Sequence, residues 1–186
     1  MTKSKLPKIN ILIAYPYWSK QIQSYLEKKN PKEFRLIIDS GAFSAWNSGK
    51  VISLDDYCKF LKTIPKEWDY NAVQLDVYGD PKKTFDNYNI MLDRGFTNIM
   101  PVFTRGDKLS QLDYFYNKTD YIMFGGIAIG GSNQNYVKWF CENNNNRKAH
   151  WLGFVNILFM KKYKPYSVDS SSIHNVSRFG VMQLYT

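Results

Sequence analysis

Short apolar runs rich in β-branched and aromatic residues recur along this chain at Ile9 to Tyr15, Arg35 to Asp39, Ala72 to Val77, Asn98 to Phe103, Tyr121 to Ile127, His150 to Phe154, Tyr166 to Asp169 and Gly180 to Leu184. Each has the length of a strand and is too short for an ordinary helix. The segments between them place apolar residues three and four apart, as in Ile22, Tyr25 and Leu26, in Tyr57, Phe60 and Leu61, and in Tyr136, Trp139 and Phe140. That spacing predicts helices with one buried face. Ser53 before Leu54, Asp55 and Asp56 supplies a cap and two acids to the first turn of one of them. Strand and helix alternating with short connections predict a parallel α/β sheet.

Eight such runs predict a compact (β/α)8 barrel of the TIM type, built as a single domain over residues 1–186. Barrels of this kind take about 200 to 250 residues. A chain of 186 therefore requires short or missing connecting helices. It stops just after the eighth run, which predicts a barrel without its last helix. That face is then either left incomplete or covered by the N-terminal segment, a partner subunit or a second copy. The Asn143 to Asn146 run, followed by Arg147 and Lys148, predicts a solvated turn.

Three of the predicted strands end in an acid, and strand ends are where a parallel barrel delivers side chains to its active site. Asp39 closes Leu36-Ile37-Ile38. The Ser40-Gly41-Ala42 that follows lets backbone approach a ligand closely, and Phe43 is placed to lie over a planar ring. Asp76 closes Val73-Gln74-Leu75 before Tyr78 and Gly79. Asp169 follows Tyr166-Ser167-Val168 and precedes three serines, and hydroxyl or backbone donors there favour an ionised, nucleophilic carboxylate. Each acid also has a plain reading as turn or helix-cap chemistry. Gathered at one mouth, the three suit cleavage of a glycosidic bond. Gly125-Gly126 and Gly130-Gly131 flank Ile127-Ala128-Ile129. With no Walker lysine and no G-x-G-x-x-G spacing, they predict close backbone approach to a flat ligand and no nucleotide cofactor. His150 and His174 stand apart from other metal-ligating residues, so structural roles are their plain reading.

Composition narrows the partner. A net charge of +9 favours a polyanion, with nucleic acid first, and 14 Tyr and 12 Phe among basic residues suit base stacking beside phosphate contacts. Cys58 and Cys141 lie far apart in no metal-ligand spacing, which predicts reduced thiols and neither a disulfide framework nor a zinc site. No run approaches the length of a membrane span and the basic N-terminus lacks the apolar stretch of a signal peptide, so a cytoplasmic protein without membrane contact is expected.

The order Asp39-Ser40-Gly41-Ala42-Phe43, Gly125-Gly126-Ile127-Ala128-Ile129-Gly130, His150-Trp151-Leu152-Gly153-Phe154 and Val168-Asp169 resembles the queuine and archaeosine tRNA-guanine transglycosylase superfamily over most of the chain. The small size and the Asp-Ser-Gly-Ala-Phe-Ser form of the first motif are most similar to the phage-type DNA 7-deazaguanine transglycosylases. The resemblance implies replacement of guanine in DNA by a free 7-deazaguanine base through a covalent glycosyl-enzyme, in the cytoplasm of a bacterial host. It implies Asp169 as nucleophile and Asp39 as general acid and base. Asp76 would grip the base edge, Phe43 would stack on the ring, and Ser40, Gly41, Gly125, Gly126, Ile127 and His150 would complete the substrate site. No cofactor and no metal are implied.

The chain also departs from that pattern. The cysteine-rich zinc site that the tRNA enzymes carry after the nucleophile has no counterpart here, which counts against a tRNA substrate. Where relatives place a polar base reader, this chain has Pro101-Val102-Phe103-Thr104-Arg105, leaving Thr104 or Arg105 for the task. Ser170-Ser171-Ser172 after Asp169 also differs. Two alternatives stay open: a related enzyme acting on RNA, and a noncatalytic protein that binds nucleic acid or a free base.

Overall fold

Parallel pairing begins with the first predicted run. In the computed structural model, which describes residues 8–127 and 134–169, strand β1 (Ile9–Ala14) pairs with β2 (Phe34–Asp39) from Ile9 opposite Phe34 to Ala14 opposite Asp39. β2 pairs in parallel with β3 (Tyr70–Val73), and β3 with β4 (Ile99–Met100), giving the sheet order β1-β2-β3-β4. A second four-stranded sheet has the order β5-β6-β7-β8, formed by Val102–Phe103, Tyr121–Phe124, Lys148–Trp151 and Ser167–Val168. The chain divides into two compact units, residues up to Val102 and residues from Phe103 onward.

In the first unit, helix α1 (Lys20–Glu27) joins β1 to β2, α2 (Ala42–Asn47) and α3 (Leu54–Leu61) join β2 to β3, and α4 (Pro81–Asp93) joins β3 to β4. Their starts follow from side chains that satisfy otherwise orphaned amides. Ser19 Oγ accepts from Ile22 N at 3.2 Å, Ser53 Oγ from Asp56 N at 3.3 Å, and Asp80 Oδ1 from Lys83 N at 2.9 Å, with Pro81 opening the helix. β2 alternates, with Phe34, Leu36 and Ile38 buried, and α3 buries Tyr57, Cys58 and Leu61. The Tyr57 hydroxyl reaches the carbonyls of Val73 (2.8 Å) and Ile38 (3.2 Å), at the ends of β3 and β2.

In the second unit, α5 (Leu109–Lys118), α6 (Gln134–Asn143) and α7 (Ile157–Tyr163) alternate with the strands. β6 pairs in parallel with β7, and β7 with β8. Phe124 of β6 stacks on Phe140 of α6 with ring centroids 3.7 Å apart, and Trp151 of β7 is 1 % exposed. No helix among the described residues is long and apolar enough to cross a membrane.

The structure differs from the sequence reading in three places, the first being that the run Ala72 to Val77 is a strand only to Val73, so Asp76 lies three residues beyond β3 and does not close it. The run Asn98 to Phe103 yields two short strands because Pro101 lies between them with no amide hydrogen to give a ladder. The asparagine run after α6 is only partly a solvated turn. Asn144 is buried, accepting from Tyr116 Oη at 2.7 Å and donating to Arg147 O at 2.7 Å, while Asn145 and Asn146 take left-handed φ values of 52° and 56°. The predicted strand Gly180 to Leu184 lies outside the described residues, as do Ala128 to Gly131, Ser170 to Ser172 and His174.

Candidate active site

The first unit gathers Asp39, Ser40, Gly41, Phe43 and Asp76 at the carboxyl ends of β2 and β3. Asp39 is the last residue of β2, and its Oδ2 accepts from Gly41 N at 3.0 Å, an Asx-type turn that brings the chain straight into α2. Gly41 takes φ +75°, and a Cβ there would run into the Pro16 ring, so this tight turn requires glycine. Ser40 is fully buried. Its hydroxyl donates to Asp76 Oδ1 at 3.0 Å and also accepts from Ala42 N at 3.3 Å. Burial raises the Asp76 carboxyl above its ordinary value, the bond from Ser40 opposing the shift. Such a carboxyl holds its proton to higher pH and then offers one donor and one acceptor.

Asp76 opens onto a cleft of about 260 Å³ whose wall includes Ala45, Trp46, Ile52, Leu75 and Tyr78, with Lys50 and Lys83 also lining it. Trp46 and Tyr78 stack at 3.7 Å between centroids, and Phe43 adjoins them at 6.3 and 6.0 Å. Phe43 and Trp46 are each about half exposed. Trp46, Lys50 and Lys83 were not legible as site residues from the sequence. Trp46 lies four residues past Ala42, one turn along the helix that Gly41 starts, and that spacing was the available signal.

The second unit brings His150 and Asp169 together. His150, 2 % exposed, lies opposite Ser167 in the β7–β8 register, and Asp169 lies two residues beyond Ser167, which puts it on the same face of an extended chain. His150 Nε2 sits 3.2 Å from Asp169 Oδ1, and Gly153 N donates to that same oxygen at 2.7 Å. His150 Nδ1 lies 2.6 Å from Ser167 Oγ, which in turn lies 2.6 Å from Tyr121 Oη. Burial pushes the Asp169 carboxyl up, but the bonds from His150 and Gly153 and the nearby imidazole outweigh it and hold the group below its ordinary value. An ionised carboxylate anchored through one oxygen is the form a nucleophile needs. Tyr121, Ser167 and Gly153 were missed as partners of this pair because strand register, which no single segment reveals, brings them there.

Gly125, Gly126 and Ile127 follow β6. Gly125 N is used by the Phe103 carbonyl at 2.9 Å, and the Ile127 side chain is buried. Gly126 takes φ +70° against the Thr104–Asp107 turn, where a Cβ would stand 2.6 Å from Thr104 Oγ1 and 2.8 Å from Arg105 N. In that turn Asp107 Oδ2 accepts from Thr104 N at 2.8 Å, and burial raises the Asp107 carboxyl to about 6. Among the described residues, no group of three His, Cys, Asp or Glu could hold a metal ion. Compared with family models, with curated proteins and with solved structures, the chain matches none.

Proposed function

We propose that this protein is a base-exchange transglycosylase that replaces guanine in DNA with a 7-deazaguanine derivative through a covalent aspartyl-glycosyl intermediate. The observation that carries the reading is the contrast between its carboxyls: Asp169 is held ionised by two donors on Oδ1, while Asp76 is pushed towards its protonated form. Carboxyls driven apart in this way divide the labour of ionised nucleophile and hydrogen-bonding base reader.

In this reading Asp169 attacks C1′ of a 2′-deoxyguanosine, the C1′–N9 bond breaks, and the electron pair leaves with guanine, which takes its proton from Asp39. Asp39 then removes the N9 proton of the incoming base. That nitrogen attacks C1′ and the Asp169 carboxylate is expelled. Two inversions retain the anomeric configuration, as in retaining glycosidases. Asp76, when it carries its proton, can meet both a donor and an acceptor on a purine edge, and the Trp46–Tyr78 stack with Lys50 and Lys83 supplies the aromatic and cationic surface that nucleotides favour. Closure of the parallel strands into a (β/α)8 barrel belongs to the same proposal, supported by the alternation of strand and helix.

The test is nucleoside mass spectrometry on DNA and on tRNA incubated separately with the protein and free 7-deazaguanine bases. Incorporation into DNA that disappears in Asp169→Ala is the expected result. Full activity in that variant overturns the nucleophile assignment, and incorporation into tRNA alone overturns the DNA substrate.

A further inference from the structure

The bonds around His150 form a chain with a direction. An ionised Asp169 has no hydrogen to give, so the one shared between Nε2 and Oδ1 comes from the imidazole. A neutral imidazole carries a single N–H, so Nδ1 must accept, and among the described residues the hydrogen it takes at 2.6 Å is that of Ser167. Ser167 Oγ, having donated, takes the hydrogen of Tyr121 Oη at 2.6 Å. If the ring gains a second proton, Nδ1 donates to Ser167, the serine hydrogen turns to Tyr121, and Nε2 still donates to Asp169. The arrangement presents Nε2–H to the carboxylate in either charge state.

We propose that Ser167 and Tyr121 lock His150 in its Nε2–H tautomer, making His150 a positioning residue that holds Asp169 Oδ1 through both displacement steps. The role rests on the transglycosylase reading; the lock itself does not. In the first step the two donors on Oδ1 orient the carboxylate so that Oδ2 attacks. In the glycosyl ester that results, Oδ1 is the carbonyl oxygen. When the incoming nitrogen attacks C1′, the C1′–Oδ2 bond breaks and its electron pair returns to the carboxylate, where charge develops on an oxygen already facing His150 Nε2–H and Gly153 N–H. Donors placed where charge develops accelerate such a step.

Acid, imidazole and serine at these distances also make up a hydrolase triad. The Tyr121 bond argues against that use, because a phenol donating to Ser167 Oγ withdraws electron density from the atom that would attack. Among the described residues, the titratable groups around these bonds are Asp169, Tyr121 and Tyr166, whose ring meets that of Tyr121 edge-on at 5.0 Å, while Lys148 on the same strand as His150 is committed to Asp120 at 2.6 Å.

The experiment is ¹⁵N-imidazole NMR on the full chain, which has only two histidines, alongside exchange of labelled guanine into duplex DNA. The wild type should show His150 protonated at Nε2, and Ser167→Ala should populate the Nδ1–H form, with Ser167→Thr restoring the wild-type signal. In Ser167→Ala, exchange should fall about 10²-fold near pH 8, with the glycosyl-enzyme accumulating. Tyr121→Phe should move both readouts the same way by less, and stands in if Ser167→Ala does not fold. An Nδ1–H wild type, or a tautomer unmoved by Ser167→Ala, overturns the lock. Exchange in Ser167→Ala equal to the wild type, or a deficit that Ser167→Thr leaves in place while restoring the tautomer, overturns the positioning role. A locked wild type that exchanges no guanine overturns the transglycosylase reading and leaves the lock standing.

Discussion

Ser40 donates its hydroxyl hydrogen to Asp76 at 3.0 Å, joining the residue after β2 to the acid beyond β3. Its own burial is complete, and the Asp76 carboxyl is raised above its ordinary value of 3.8 by burial, against the pull of this bond. In the folded protein Asp76 therefore keeps its proton over a pH window in which the unfolded chain has lost it. Stability from this group is present below the ordinary value and is lost as pH rises through the raised one.

Asp76→Asn, which mimics the protonated acid, should accordingly raise the melting temperature at pH 7, with the gain shrinking as pH falls towards 4. Thermal melts of both proteins across that range check it. A gain that is constant with pH would mean Asp76 is ionised in both states.

Asp169 gives the opposite sign. Its folded carboxyl is held below the ordinary value by His150 and Gly153, so the stability it contributes is present above that value and is lost as pH falls through the lowered one. Acid denaturation of Asp169→Asn should show less pH dependence below pH 4 than the wild type. If the protein exchanges bases with Asp169 as nucleophile, the same variant should lose at least about 10³-fold in exchange, the scale on which loss of a nucleophile is felt.

Gly126→Ala should destabilise the second unit by about 1 to 3 kcal/mol from backbone strain alone. It should cost more again because the new methyl meets Thr104 Oγ1 and Arg105 N. Gly95→Ala provides the comparison: its φ is +84° but nothing lies within 4 Å of the added carbon. Urea denaturation of both separates strain from collision, and equal losses would remove the steric argument.

Tyr57→Phe should cost about 1 to 3 kcal/mol, since it leaves the buried Val73 carbonyl without its 2.8 Å partner. Denaturant titration reads this directly. A neutral result would mean that water replaces the hydroxyl.

If the cleft beside Asp76 meets nucleic acid, Lys83→Ala should weaken DNA binding and lower the salt slope of the affinity by about 1. Trp46→Ala should weaken binding with the slope unchanged, because stacking releases no counterions. Fluorescence anisotropy at several salt concentrations distinguishes the two patterns.

Local pattern revealed the elements, and packing between them revealed the partners. Ser53 was legible as a cap because its task is done within three residues, and the apolar runs marked seven of the strand regions because burial imposes its signature on each segment separately. The pairing of His150 with Asp169 was hidden: both residues were visible, but the register that sets His150 opposite Ser167 depends on two strands at once. Asn144 was concealed for a related reason. A run of asparagines reads as solvated, and only the Tyr116 hydroxyl, 28 positions earlier, makes one of them a buried junction. Trp46 was not singled out, because its place beside Tyr78 and its half exposure follow from where the short α2 ends.

In the first sheet every strand lies beside its neighbour in sequence, β1-β2-β3-β4, and the last of them ends at Met100. Among the described residues, none of its ladders waits for a residue made later. During synthesis, at about 5 to 20 residues per second, this half can therefore form those ladders, and set Asp39 and Asp76 in place, seconds before the codon for Asp169 reaches the ribosome.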